Sequence, residues 1–90
     1  MGHTPFGYRI ENGKAVIDEA AAAQVRDLCK NYLSGLSLTN AAKEAELNLL
    51  HSGAKRMMLN RHYLGDDFYP AIIDPASFDA VSAELNKRST

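Results

Sequence analysis

Lys55, Arg56 and Arg61 fall close together in a stretch from Leu47 to Gly65 that contains no acid, with Ser52, Asn60 and His62 standing among them. Residues of these types act on polyanions. Lysine and arginine neutralise phosphate oxygens, and the arginine fork also fits the O6 and N7 acceptors on the exposed edge of guanine. Serine and asparagine add shorter hydrogen bonds to the same groups. A second, smaller basic pair, Arg9 and Lys14, lies near the start of the chain. Cations on one face of a helix can equally be a solvated surface, and residue types alone leave both readings open.

Other chemistry finds less support. Serines are plentiful, but none stands in a glycine-flanked nucleophile elbow or beside an evident His–Asp pair. The glycines are scattered, so no phosphate-cradling loop is formed. His51 and His62 have no cysteine or carboxylate at ligand spacing between them, and His3 sits at the terminus beside Gly2. Asp66-Asp67 reads as a solvated turn or a helix-end acid pair, since two adjacent carboxylates make a poor cation site. Cys29 falls on an apolar helical stripe, where a thiol is buried and inert. The expectation is a protein that is not an enzyme, with no metal, no cofactor and no small-molecule substrate.

Composition sets the frame around these residues. Ninety residues, 46% of them hydrophobic and 23% charged, describe one globular domain spanning residues 1–90, with a modest core. No apolar run reaches the roughly 18–20 residues of a membrane span, and no secretory signal opens the chain. One cysteine cannot form an internal disulfide, which suits a reducing, cytoplasmic setting. The net charge is −1, but it is unevenly spread: −1 from Met1 to Glu46, +3 from Leu47 to Gly65 and −3 from Asp66 onward. A near-neutral total conceals a basic middle.

The elements that must position this middle can be read in order. Gly7–Ile10 and Ala15–Ile17 flank Asn12-Gly13, the preferred pair for a tight hairpin turn. Asp18 caps a helix from Glu19, in which Val25, Leu28, Cys29, Tyr32 and Leu33 form one apolar stripe, ended by Gly35. Ser37 or Thr39 caps a shorter helix with Leu38, Ala41, Ala42 and Ala45 on its inner face. Leu47–Leu50 connects to a third helix capped by Ser52 and running roughly Gly53–Asn60, with Ala54, Met57 and Met58 inward and Lys55, Arg56 and Arg61 outward. Tyr69–Ile73 reads as a brief extended run. Asp74-Pro75 starts a last helix whose Phe78, Val81 and Leu85 face inward. The predicted fold class is therefore mainly α (α+β): an N-terminal β-hairpin, a helix-turn-helix-like three-helix core and a C-terminal helix. The match to a helix-turn-helix is imperfect, since Glu46 occupies the usual turn-glycine position and the turn is long.

Several segments in order carry a resemblance. Thr4-Pro5-Phe6-Gly7-Tyr8-Arg9, Asn12–Asp18, Tyr32–Leu38 with Ala41-Ala42, Met57–Gly65, and Pro70–Asp74 with Phe78, Val81 and Leu85 together resemble the recombinase domain that follows the catalytic domain in large serine recombinases of phage integrase and transposon type. The likeness covers nearly the whole chain. It departs from the family in a shorter connector before the third helix, in His51 or Ser52 standing near the usual tryptophan, and in a less basic composition, with pI near 6.3.

The resemblance implies a non-catalytic DNA-binding accessory domain that contacts one attachment half-site on double-stranded DNA, with a serine recombinase catalytic domain as its partner. The serine and arginines of that catalytic domain are absent from these residues. The chain is read as part of a larger enzyme or as a free-standing gene product, and Met1 directly before the domain fits both. By position, Ser52, Lys55, Arg56, Asn60, Arg61 and His62 form the main DNA-facing surface, and Arg9 and Lys14 a second contact. The alternative is an interaction or regulatory module that docks on a recombinase without strong DNA binding.

Overall fold

The computed structural model describes residues 4–88. Strand β1 (Tyr8–Glu11) pairs antiparallel with β2 (Lys14–Ile17), in the register Tyr8↔Ile17, Arg9↔Val16, Ile10↔Ala15 and Glu11↔Lys14. Asn12 and Gly13 close the hairpin with φ of 53° and 77°, the two positive values that a tight turn of matching twist requires. Helices α1 (Glu19–Leu33), α2 (Leu38–Glu44), α3 (His51–Met58) and α4 (Pro75–Arg88) follow, with a 3₁₀ turn over Arg61–Leu64. This is the small α+β domain the sequence implies, a two-stranded N-terminal hairpin ahead of a helical core.

Helix α1 is the centre of the fold and packs on α2, α3 and α4. Asp18 caps it by accepting from the Ala21 N–H. Its stripe of Val25, Leu28, Cys29 and Tyr32 is buried, whereas Leu33, at the far edge of that stripe, remains 41% exposed. The last turn closes as a Schellman motif: the Gly35 N–H donates to Tyr32 O and the Leu36 N–H to Asn31 O. Gly35 takes φ of 118° there, a conformation that side chains disfavour.

Ser37, rather than Thr39, caps α2 by accepting from the Asn40 N–H. Ala41 and Ala42 are fully buried, and their small side chains let α2 lie close against α1. Arg88, in the last turn of α4, stands 4.1 Å over the Tyr32 ring and donates to Tyr32 O and Leu36 O, tying the end of α4 to the end of α1 and the residues after it. Asp74 caps α4 as expected, accepting from the N–H and hydroxyl of Ser77. Residues 69–73 form bends rather than an extended run, because the Ile72 and Ile73 N–H groups both turn inward onto Tyr63 O.

Candidate nucleic-acid interface

Two side chains on α1 set the position of α2 and the turn after it. Gln24 Nε2 donates to the carbonyls of Ala45 and Glu46 at 3.1 and 3.2 Å, and Asn31 Nδ2 donates to Ala41 O at 3.2 Å. The end of α2 repeats the closure seen in α1, with the Glu46 N–H on Lys43 O and the Leu47 N–H on Ala42 O. Glu46 takes φ of 63°, so the usual glycine position of the turn holds a glutamate in the left-handed conformation. The chain then crosses to α3, which is seated on the core by the fully buried Ala54 and Met58 and the partly buried Met57.

Helix α3 begins and ends two residues earlier than the spacing predicts, and this redistributes the candidate residues. Its N-cap is Leu50, no side chain caps it, and Ser52 is its second residue. Ser52 was expected to cap because serine is a preferred capping type, but Leu49 and Leu50 already turn the chain into the helix. Ser52 and Arg56 on the helix and Leu59 at its C-cap stack along the exposed face at spacings of four and three, with His51 and Lys55 on one flank. Among the described residues, neither Lys55 nor Arg56 has an ion-pair partner. The uncapped first turn adds the positive end of the helix dipole to the same surface.

Asn60 and Arg61 lie outside α3. Asn60 caps the 3₁₀ turn, its side-chain oxygen accepting from the His62 N–H at 3.0 Å. The Arg61 guanidinium lies 5.9 Å from the centre of the Phe78 ring, so Arg61 leans toward α4 rather than standing out from α3. His62 is exposed, but its Nδ1 is 2.9 Å from Asp66 Oδ2 and its ring packs 4.6 Å from that of Tyr69. Asp66 thereby serves as an organiser of the loop. The Tyr69 N–H, the His62 side chain and the Phe68 N–H hold its carboxyl down at about 2. Arg9 is paired with Glu11 at 2.9 Å, and Lys14 stands exposed at the hairpin end; no hydrogen bond or ion pair among the described residues joins either to α3. The predicted surface thus separates into Ser52, Lys55 and Arg56 on α3, Asn60, Arg61 and His62 in the turn behind it, and Arg9 and Lys14 on the hairpin.

Tyr63 and Tyr8 fix that turn, and neither was singled out as a positioning residue by the sequence patterns. The Tyr63 hydroxyl donates to Phe6 O at 2.7 Å, while its carbonyl receives the Ile72 and Ile73 N–H groups. The Tyr8 hydroxyl sits between His62 O and Pro70 O, and the two tyrosine rings stack at 5.9 Å. Burial pushes the Tyr8 hydroxyl up to about 12 and raises Tyr63 as well. Gly7 is what allows this approach: a Cβ there would come within 2.9 Å of Ile72 Cδ1, at a φ of 102°.

The same arrangement lays Phe6 beside α3. Phe6, Gly53, Arg56, Met57, Asn60 and Tyr63 line a shallow hollow of about 250 Å³. A larger groove of about 500 Å³ runs between α1 and the start of α4, over Cys29, Leu33, Ile72 and Ile73, with Arg26 and Lys30 on its rim. Cys29 is buried, and burial pushes its thiol up to about 11. No helix among the described residues is long and apolar enough to cross a membrane.

Comparison with protein-family models, curated proteins and solved structures finds no match for this chain.

Proposed function

We propose that this domain binds double-stranded DNA through α3, as the non-catalytic accessory domain of a site-specific serine recombinase acting in the cytoplasm. One observation carries the reading: in a helix-turn-helix-like core, the exposed side of α3 presents Lys55 and Arg56 without ion-pair partners among the described residues, from a segment that holds no acid. The major groove of B-DNA is about 12 Å wide and accepts one helix, and cations on such a helix meet phosphates at the groove edges and bases at its floor. Support for the recombinase assignment is the ordered series of sequence segments, from Thr4–Arg9 to Leu85, that resembles the family's DNA-binding domain.

Titration of a labelled duplex at several salt concentrations tests the proposal. Three to five phosphate contacts give log K falling with log salt at a slope of about −3 to −4.5. Arg56→Ala is expected to weaken binding by about 1–3 kcal/mol if the arginine grips a base, and Lys55→Ala to weaken it uniformly over sequences while making the slope shallower by about 1. No binding at low salt, to attachment-site or random duplexes, refutes the proposal.

A second reading is an interaction module that docks on a recombinase without gripping DNA. The groove between α1 and α4 favours it, because Leu33 stays 41% exposed beside the cations Arg26 and Lys30. Leu33→Glu separates the two: it abolishes docking on the second reading and leaves the salt-dependent DNA titration unchanged on the first.

A further inference from the structure

The hollow beside α3 has a composition suited to one feature of a base. Its lining is apolar where Phe6 and Met57 meet Gly53, and Arg56 and Asn60 stand at its polar edge. Gly53 is unusual there. It lies inside a helix, where glycine is disfavoured, yet its φ is ordinary and a Cβ would meet nothing closer than Leu49 Cδ2 at 3.5 Å. Neither backbone nor packing demands a glycine at this position. Gly53 contributes no side chain to the lining of the hollow. Phe6 is held on the opposite side by its carbonyl, which accepts from the Tyr63 hydroxyl, while the residue remains 40% exposed.

We infer that this hollow receives the C5-methyl group of a thymine, making Phe6 a determinant of sequence preference at one base pair. The inference rests on the DNA-binding reading of α3 and adds a specificity to it. The occupant follows from position and charge. The hollow lies on the partly buried flank of α3 and opens next to Arg56, which is exposed and has no ion-pair partner among the described residues, so a duplex drawn to Arg56 is the molecule brought against it. In the major groove the thymine methyl is the one apolar group on a base edge, and apolar side chains read it by contact. Arg56 at the rim then meets the phosphate or the neighbouring base while the ring of Phe6 covers the methyl.

The test uses duplexes enriched from a random library by the intact chain at low salt. Each thymine in the enriched sequence is replaced in turn by deoxyuridine, which removes the methyl and nothing else. One replacement is expected to weaken binding about fourfold, the equivalent of one buried methyl group. In Phe6→Ala that difference disappears, because thymine and deoxyuridine duplexes bind equally, and in Phe6→Leu it is retained. A role for Phe6 in folding alone would weaken both duplexes together and leave their ratio intact, which overturns the inference. So does an enriched sequence in which no replacement changes affinity. In either case a salt slope near −3 still upholds DNA binding, whereas the absence of binding to any duplex removes both.

Discussion

Glu46 shows how much one residue can hold against its own preference. It occupies the left-handed region with φ of 63°, where a side chain costs about 1–2 kcal/mol and glycine costs little. The conformation persists because the Glu46 and Leu47 N–H groups are both used to close α2 and the Glu46 carbonyl accepts from Gln24. Glu46→Gly is therefore expected to stabilise the domain by about 1 kcal/mol, read as a higher urea midpoint with an unchanged slope. At this scale the sequence was informative about type and silent about commitment. Lys55, Arg56, Asn60, Arg61 and His62 look alike as polar residues in an acid-free run. Among the described residues, Lys55 and Arg56 stand on α3 with no ion-pair partner, while Asn60, Arg61 and His62 are engaged by a cap, a ring and a carboxylate.

At the scale of elements, α2 is held by its buried Leu38, Ala41 and Ala42 and by side chains sent across from α1. A helix of that length is marginal alone. Gln24→Ala withdraws two hydrogen bonds from its C-terminal carbonyls and is expected to cost about 1–2 kcal/mol in thermal unfolding. In amide exchange the loss concentrates in the turn from Ala45 to Leu50, more than at the hairpin. Hairpin, α1 and α4 were legible because each carries local chemistry that decides it: Asn12-Gly13, the Asp18 cap with its apolar stripe, and Asp74-Pro75. The start of α3 was not legible, since its N-cap is a leucine with no side-chain bond and local preference pointed instead to Ser52. The hollow beside α3 was hidden for a different reason. Phe6 and Gly53 are 47 positions apart and share no periodicity, so only the docking of Phe6 O onto Tyr63 brings them together.

The whole molecule should respond to acid in a defined direction. Asp66 is held down at about 2, first by the Tyr69 N–H, and the Ser77 hydroxyl and N–H lower Asp74. Carboxyls that are more acidic in the folded than in the unfolded chain contribute stability that is complete above about pH 4 and lost as pH falls through their folded values. Denaturation midpoints measured from pH 6 to 2 are expected to decline below about pH 4, and Asp66→Asn to reduce that decline.

The bonds made by Tyr8 and Tyr63 carry a consequence for the order in which the domain is assembled. Tyr8 reaches His62 and Pro70, and Phe6 waits for Tyr63, across separations of 54, 62 and 57 residues. During synthesis the hairpin can close on its own once Ile17 is made, but its hydrogen-bonded seat is missing until His62 and Tyr63 have left the ribosome. Until then Tyr8, Ala15 and the inner side of the hairpin stay wet, and a two-stranded ribbon so placed is a ready edge for a neighbouring chain. The most exposed moment in the life of this protein thus precedes the arrival of Tyr63, and the same contact that sets the end of α3 is the one that brings that moment to a close.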